Sequence, residues 1–278
     1  MLRLQALWLY MKFQKIMFNK IAVIAAKNNV KALEVRDILC KKYGFIDLTS
    51  NHKKTDGIDA IIAIGGDGLM LHLLHEYEKN PLPIYGVNFG SVGFLMNSFN
   101  QEKLLEKINK AQVATIKPLR MTAIDNNGKT HSHIAINEVS LLRQTSQIAK
   151  IKIEVNGKVR LSDLACDGIL LATAAGSTAY NFSAGGPIIP FGAEILALTP
   201  LSPFRPRKWL GALLPANSEV RFEILDSDKR KISASADSIE VPNIKEVVIK
   251  QAENISFKIL FDANHSLEER IIGEQFNY

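Results

Sequence analysis

Three stretches of this chain carry residue types that could do chemistry. The first is Gly65-Gly66-Asp67-Gly68, reached through the apolar run Ile61-Ile62-Ala63-Ile64. Glycines on both sides allow a sharp bend and let phosphate oxygens approach backbone N–H groups. A carboxylate in that setting can take a proton during phosphate chemistry, which makes Asp67 the candidate general base. Gly65, Gly66 and Gly68 form the candidate phosphate loop. The second stretch is Asn137-Glu138, an amide beside an acid inside an otherwise apolar alternation. Taken alone, it suits a strand edge facing water. The third runs from Asp167-Gly168 through Gly176-Ser177-Thr178-Ala179-Tyr180 to Ser183-Ala184-Gly185-Gly186-Pro187. Its small residues permit close backbone approach, while Ser177, Thr178 and Tyr180 offer directional hydrogen bonds to a polar ligand.

The elements that must position these groups divide the chain in two. Residues 21–26 read as a strand, and Asn28 and Asn29 can cap a helix that runs to about Lys42 and closes at Gly44. Ala32, Val35, Ile38 and Leu39 place an apolar stripe on that helix. A second strand is predicted over 58–64, with a helix starting near Leu69. A third is predicted over Ile84–Asn88 and ends in Gly90-Ser91-Val92-Gly93-Phe94. Ser98 and Gln101 have capping-box spacing for a helix carrying Leu104, Leu105 and Ile108. Strands alternating with helices imply a parallel sheet, with ligands at the carboxyl ends of its strands. Residues 65–68 and 90–93 both fall at such ends.

From Pro118 the period becomes strand-like. Short strands are predicted over 120–124, 133–142, 151–155, 220–225, 231–236, 246–249 and 255–260, with Asn156-Gly157 a strong hairpin signal. That pattern predicts an antiparallel sandwich. The expected fold class is therefore α/β plus all-β. An extension covers residues 1–17, an α/β domain 18–115 and a β-sandwich substrate domain 116–260. A tail, 261–278, packs back on the α/β domain.

At 278 residues and 47% hydrophobic composition, the chain can bury a sizeable core. Its net charge of +6 is uneven: residues 1–60 hold 11 Lys+Arg against 5 Asp+Glu, which suits an anionic ligand or a solvated basic face. Basic blocks interleaved with aromatics are absent, which argues against nucleic-acid binding. The two cysteines, Cys40 and Cys166, form no disulfide framework and no zinc box, in keeping with a reducing cytoplasm. No apolar run reaches the roughly 18 residues of a membrane span. GxGxxG after the first strand and GxxxxGK[ST] are both missing, so a Rossmann dehydrogenase and a P-loop kinase are poorly supported. His72 and His75, three apart on a predicted helix with no third ligand evident, read as ordinary helix residues, and no protein-held metal is expected.

Together the motifs resemble the NAD kinases. The GGDG at 65–68, the Asn-Glu pair at 137–138 and the GSTAYNxSAGGP block at 176–187 occur in that family's order and spacing. The resemblance covers the chain from about residue 20 onward. It implies transfer of the γ-phosphate of ATP, with Mg²⁺ or another divalent cation, to the 2′-hydroxyl of the adenosine ribose of NAD, giving NADP. It makes Asp67 the general base, with Gly68 touching the substrate and Phe94 packing against it. Asn137 and Glu138 would hold the adenosine half, with Thr178 and Tyr180 near the adenine. Asp167, Ala179 and Ser183 would line the nicotinamide side, and Ala175, Asn181, Phe182 and Asp237 complete the implied substrate-binding set. The resemblance also implies a cytoplasmic homodimer or homotetramer.

One departure stands out: Ala174-Ala175 replaces the family's usual Pro-Thr or Pro-Ser. The change removes a rigid residue and a hydroxyl from the loop. Two other readings compete. A lipid or sugar kinase would share GGDG, though the Asn-Glu pair and the GSTAY block suit a dinucleotide better. A catalytically silent NAD(P) sensor would have little need of Asp67 with its three glycines.

Overall fold

The computed structural model describes residues 18–90 and 93–263. The described residues divide into two compact units, 18–114 with 258–263, and 115–257. The expected extension at 1–17 and the tail from 264 onward lie outside the described residues.

In the first unit, β1 (Ile21–Ala25) leads to α1 (Val30–Tyr43), β2 (Ile46–Asp47), β3 (Ala60–Gly65), α2 (Asp67–Glu76), β4 (Ile84–Asn88), α3 (Leu104–Asn109) and β5 (Gln112–Ile116). The sheet order is β2-β1-β3-β4-β18-β5, where β18 (Phe257–Phe261) is the last described strand. β2, β1, β3, β4 and β18 run parallel. Every residue of β1 and β3 is buried, as expected of parallel strands covered on both faces. Val23, Ile62, Ile64, Tyr85 and Val87 pack with Ala32 and Leu39 of α1 and with Leu104 and Ile108 of α3. On the opposite face, Met70 of α2 and Met96 sit over Gly86, where a Cβ would lie 2.7 Å from the Met70 methyl.

Asn29 caps α1, accepting the Ala32 N–H, and Gly44 closes it in the left-handed region at φ 70°. Other expectations need correction. α2 starts at Asp67, before Leu69, because Gly66 takes an extended conformation and delivers the chain straight into the helix. The Ser98–Gln101 capping box does not form. The first amides before α3 are taken instead by Asn100, whose Oδ1 accepts from Glu102 and Lys103 N–H in an Asx turn. The strand expected over 255–260 in the sandwich is β18, and it joins the parallel sheet beside β4. Four of its five residues are buried, the two-faced burial of a parallel strand and not an alternation. Asn97, fully buried, fastens the join: it donates to the Gly86 and Leu260 carbonyls and accepts the Asp262 N–H.

The second unit contains β6 (Leu119–Asp125), β7 (Thr130–Ala135), β8 (Glu138–Arg143), β9 (Ala149–Val155), β10 (Lys158–Cys166), β11 (Gly168–Ala172), a 3₁₀ turn at Gly176–Thr178 and the one-turn α4 (Tyr180–Ser183). β12 (Ile195–Leu201), β13 (Ala212–Pro215), β14 (Val220–Ile224), β15 (Ile232–Ala236), β16 (Ile239–Val241) and β17 (Ile244–Gln251) follow. Two antiparallel sheets result, ordered β10-β9-β14-β17-β6-β7 and β13-β12-β11-β8-β15-β16. Their inner faces share one core, with Met121, Ile151, Phe222 and Val247 from one sheet and Val139, Leu141, Ile169 and Ile232 from the other. β9 alternates strictly between buried and half-buried residues. Asn156 and Gly157 both have positive φ, at 52° and 72°, and turn β9 into β10 as the hairpin signal predicts.

The single strand expected over 133–142 is two strands in different sheets: β7 pairs with β6, and β8 pairs with β11 and β15. The break falls at Ile136-Asn137, where the backbone leaves its ladder. Asp237 takes over there, accepting N–H bonds from Ile136, Asn137 and Glu138.

Candidate functional site

In the first unit the site is built at the carboxyl ends of β3 and β4. Gly65 ends β3, Gly66 is the cap of α2, and Asp67 is the first helical residue, where the helix dipole favours a negative charge. The loop after β4 lies alongside: the Phe89 N–H donates to the Gly65 carbonyl at 2.7 Å, and a Cβ on Gly66 would lie 3.7 Å from Gly90 Cα. Asn29 braces the same loop by donating to the Phe89 carbonyl. Gly68 is exposed, and a Cβ there would meet nothing within 4 Å.

Asp67 is not the free carboxylate that its small neighbours suggest. Oδ2 accepts the Phe94 N–H at 2.8 Å and Oδ1 accepts the Leu95 N–H at 2.9 Å. These two bonds fix the orientation of the carboxylate at the head of α2. Phe94, expected to pack against the substrate, touches Asp67 through its backbone N–H. Leu95 was missed altogether. No side-chain type signals an amide donor, so only the second glycine segment hints at it.

In the second unit the site surrounds the start of β8. Beyond the three amides it accepts, Asp237 itself has positive φ, at 48°, which aims its carboxylate at that turn. Thr173 closes the other side: its N–H donates to the Asn137 carbonyl and its hydroxyl to the Ile136 carbonyl, and its oxygen accepts the Gly176 N–H. Gly176 is packed so tightly that a Cβ would lie 2.2 Å from the Asn137 carbonyl oxygen. Glu138 Oε2 is buried and has no partner. Burial pushes the Glu138 carboxyl up to about 7, and the neighbouring negative charge of Asp237 pushes the same way. The Tyr180 phenol is also raised, first by its own burial and then by Glu138. A half-buried acid with an unused acceptor beside a tyrosine hydroxyl is suited to hold a polyhydroxylated ligand.

Three comparisons bear on what this arrangement serves. Residues 8–113 match the ATP-NAD kinase N-terminal domain and residues 136–264 the ATP-NAD kinase C-terminal domain. A protein from Caulobacter vibrioides named NAD kinase is 53% identical over 247 residues, covering 89% of this chain and 92% of its own. A protein of the same name from Hyphomonas neptunium is 49% identical, over 93% of this chain and 98% of its own. The chain belongs to the NAD kinase family. Its fold matches that of a yeast NADH kinase solved with NADH, with TM-score 0.79 at 19% identity over 95% of this chain and 89% of that one. An NAD kinase from Archaeoglobus fulgidus solved with ATP gives TM-score 0.72 at 25% identity, over 92% and 98%.

Against that family, the implied residues sort into several groups. Asn137, Glu138, Tyr180 and Asp237 come together, and Gly65, Gly66, Asp67, Gly68 and Phe94 come together in their own unit. Thr178 and Ala179 are half-buried, and Ser183 and Phe182 are exposed, so all four leave surface for a ligand. Asn181 and Ala175 are buried in the loop. Asn181 is fully buried; its amide nitrogen donates to the Ser177 and Pro187 carbonyls, and its oxygen accepts the Thr199 hydroxyl. Ala175 is 5% exposed and packs inside the turn. The Ser177 hydroxyl is likewise committed, donating to the Ala174 carbonyl and accepting the Ile189 N–H. These side-chain bonds shape the loop. Asp167 stands apart from Glu138: Glu138 pairs with Ala172 while Asp167 lies opposite Arg143, five residues along β8, which separates the two acids by about 17 Å. There Asp167 pairs with Arg143, at 2.6 Å, a residue the sequence reading did not single out.

Proposed function

We propose that the chain transfers the γ-phosphoryl group of ATP to the 2′-hydroxyl of the adenosine ribose of NAD, with Asp67 as general base. A ribose hydroxyl is a poor nucleophile at neutral pH, and a carboxylate within hydrogen-bond reach makes it a competent one. Asp67 takes the hydroxyl proton, the ribose oxygen forms a bond to the γ-phosphorus, and the bond from that phosphorus to the β,γ-bridging oxygen breaks, releasing ADP. The observation that carries this reading is the pair of N–H bonds fixing both oxygens of Asp67 at the first turn of α2. A base so held needs no reorganisation as the proton moves.

The backbone of Gly65, Gly66 and Gly68 and the N-terminus of α2 cradle phosphate. Asn137 and Glu138 hold the adenosine ribose, with Thr178 and Tyr180 toward the adenine. Ala179, Phe182 and Ser183, with Asp167 at the far end of β11, serve the nicotinamide half. Asp237 acts by holding the Asn137-Glu138 backbone. A divalent cation, Mg²⁺ in the ordinary case, supplies charge neutralisation for the phosphates. Such an ion would be held largely by ATP's own phosphate oxygens. The exposed Phe204, Leu210 and Leu213 support self-association as a homodimer or homotetramer. No helix among the described residues is long and apolar enough to cross a membrane.

The test is incubation of purified protein with ATP, Mg²⁺ and NAD, with NADP followed by chromatography. NADP formed by the wild type and lost with Asp67→Asn supports the reading. NAD binding without turnover makes the protein a sensor, and phosphate appearing only on a lipid or sugar overturns the substrate assignment.

A further inference from the structure

A second cluster of functional side chains lies at the other end of α2 from Asp67. His72 and Glu76 sit at i and i+4 on the helix, with Nε2 to Oε2 at 3.6 Å. His52 reaches the same carboxylate oxygen from the loop between β2 and β3, with Nδ1 to Oε2 at 2.8 Å. The three ligating atoms all lie within 4.8 Å of one another. Two ligands bonded tetrahedrally to one zinc ion stand about 3.3 Å apart, and the two separations to Glu76, 2.8 and 3.6 Å, lie on either side of that value. His52 stands twenty residues before His72, a separation that no helical spacing signals.

The arrangement is held from behind. Tyr77, buried at 7% exposure, donates its hydroxyl to the His52 carbonyl at 2.7 Å, which fixes the loop against the end of the helix. The His52 and Glu76 side chains are 15% and 22% exposed, while His72, at 64%, keeps one side of the cluster open to water. Glu76 is the last residue of α2, where the helix dipole favours a positive charge. Nine residues separate it from Asp67, about 13.5 Å along the axis, so the cluster is separate from the phosphate loop.

We infer that His52, His72 and Glu76 form a binding site for a divalent transition-metal ion of the zinc type, with water in the fourth position. Two imidazoles and one carboxylate select such an ion over Mg²⁺, whose preference is for oxygen ligands alone. The ion joins the His52 loop to the helix that begins with Asp67, acting as a clip on that helix.

The test uses tag-free full-length protein dialysed against Zn²⁺ in a large excess of Mg²⁺, without nucleotide, followed by metal analysis. Co²⁺ is loaded in parallel for its visible d–d spectrum. The wild type is expected to hold about one zinc per chain, to give an intense tetrahedral cobalt spectrum, and to unfold at a higher temperature with zinc than without. His72→Ala removes an exposed side chain and should fold normally, as judged by circular dichroism. It should bind zinc at least tenfold more weakly, and lose both the cobalt bands and the zinc-dependent thermal shift. Glu76→Gln should behave likewise. No stoichiometric zinc on the wild type, or equal binding and an unchanged cobalt spectrum in His72→Ala, overturns the proposal. Because NADP formation is not the readout, failure here leaves the kinase reading intact.

Discussion

Replacing Glu138 by glutamine tests whether this acid is strained in the folded protein. The side chain keeps its shape and loses its charge. Folding raises the Glu138 pKa from 4.5 to about 7, chiefly through burial and secondarily through Asp237. The sign follows from linkage: the folded state holds this proton more tightly than the unfolded chain. Below pH 4.5 both states are protonated and there is no penalty. The penalty grows between pH 4.5 and 7 and is complete above pH 7. A shift of that size corresponds to a cost on the order of 3 kcal/mol for the ionised wild type. Urea unfolding of wild type and Glu138→Gln at a series of pH values between 5 and 8 gives the difference directly, since the other titrating groups cancel. The variant should match the wild type near pH 5 and become progressively more stable relative to it, by up to about 3 kcal/mol at pH 8. Its KM for NAD at pH 8 should rise, because an ionised acceptor for ribose hydroxyls is gone. A stability difference independent of pH would refute the assignment of a raised pKa and the burial argument behind it.

Asp237→Ala leaves three amides at residues 136–138 without their acceptor and should destabilise the protein by on the order of 3 kcal/mol in urea titration, with KM for NAD rising more than kcat falls. Gly176→Ala would drive a Cβ to 2.2 Å from the Asn137 carbonyl oxygen, so a clear loss of thermal stability is expected; Gly68→Ala meets open space and should melt with the wild type while losing activity. Equal melting of the two glycine variants would contradict the packing described for Gly176. Ser177→Ala removes a hydroxyl used only inside its own loop, so it should lower stability by about 1 kcal/mol and leave KM for NAD nearly unchanged.

Much of this architecture is legible in the sequence because it rests on local pattern. The buried β3 run, the Asn156-Gly157 turn and the Asn29 and Gly44 caps are all specified within a few residues of themselves. What escaped depends on partners distant in the chain. Residues 255–260 look like any short apolar strand, and only pairing with β4 makes them part of a parallel sheet. The bonds that Asp237 makes to the backbone of residues 136–138, and Asn181 to Pro187 and Thr199, join positions that no local pattern links. Conversely, the donors that fix Asp67 are backbone N–H groups of residues 94 and 95, which every non-proline residue possesses. A chemical motif therefore marks where the reaction takes place more readily than how its groups are held.

The most direct measurement compares wild type and Asp67→Asn for kcat of NADP formation alongside the Kd for NAD, at matched folding stability. Asparagine keeps an oxygen for one of the two amide bonds but cannot serve as the base. The account predicts that kcat falls by about 10²–10⁴ while Kd changes little. A variant that turns over near the wild-type rate, or one whose only defect is in NAD binding, would contradict it.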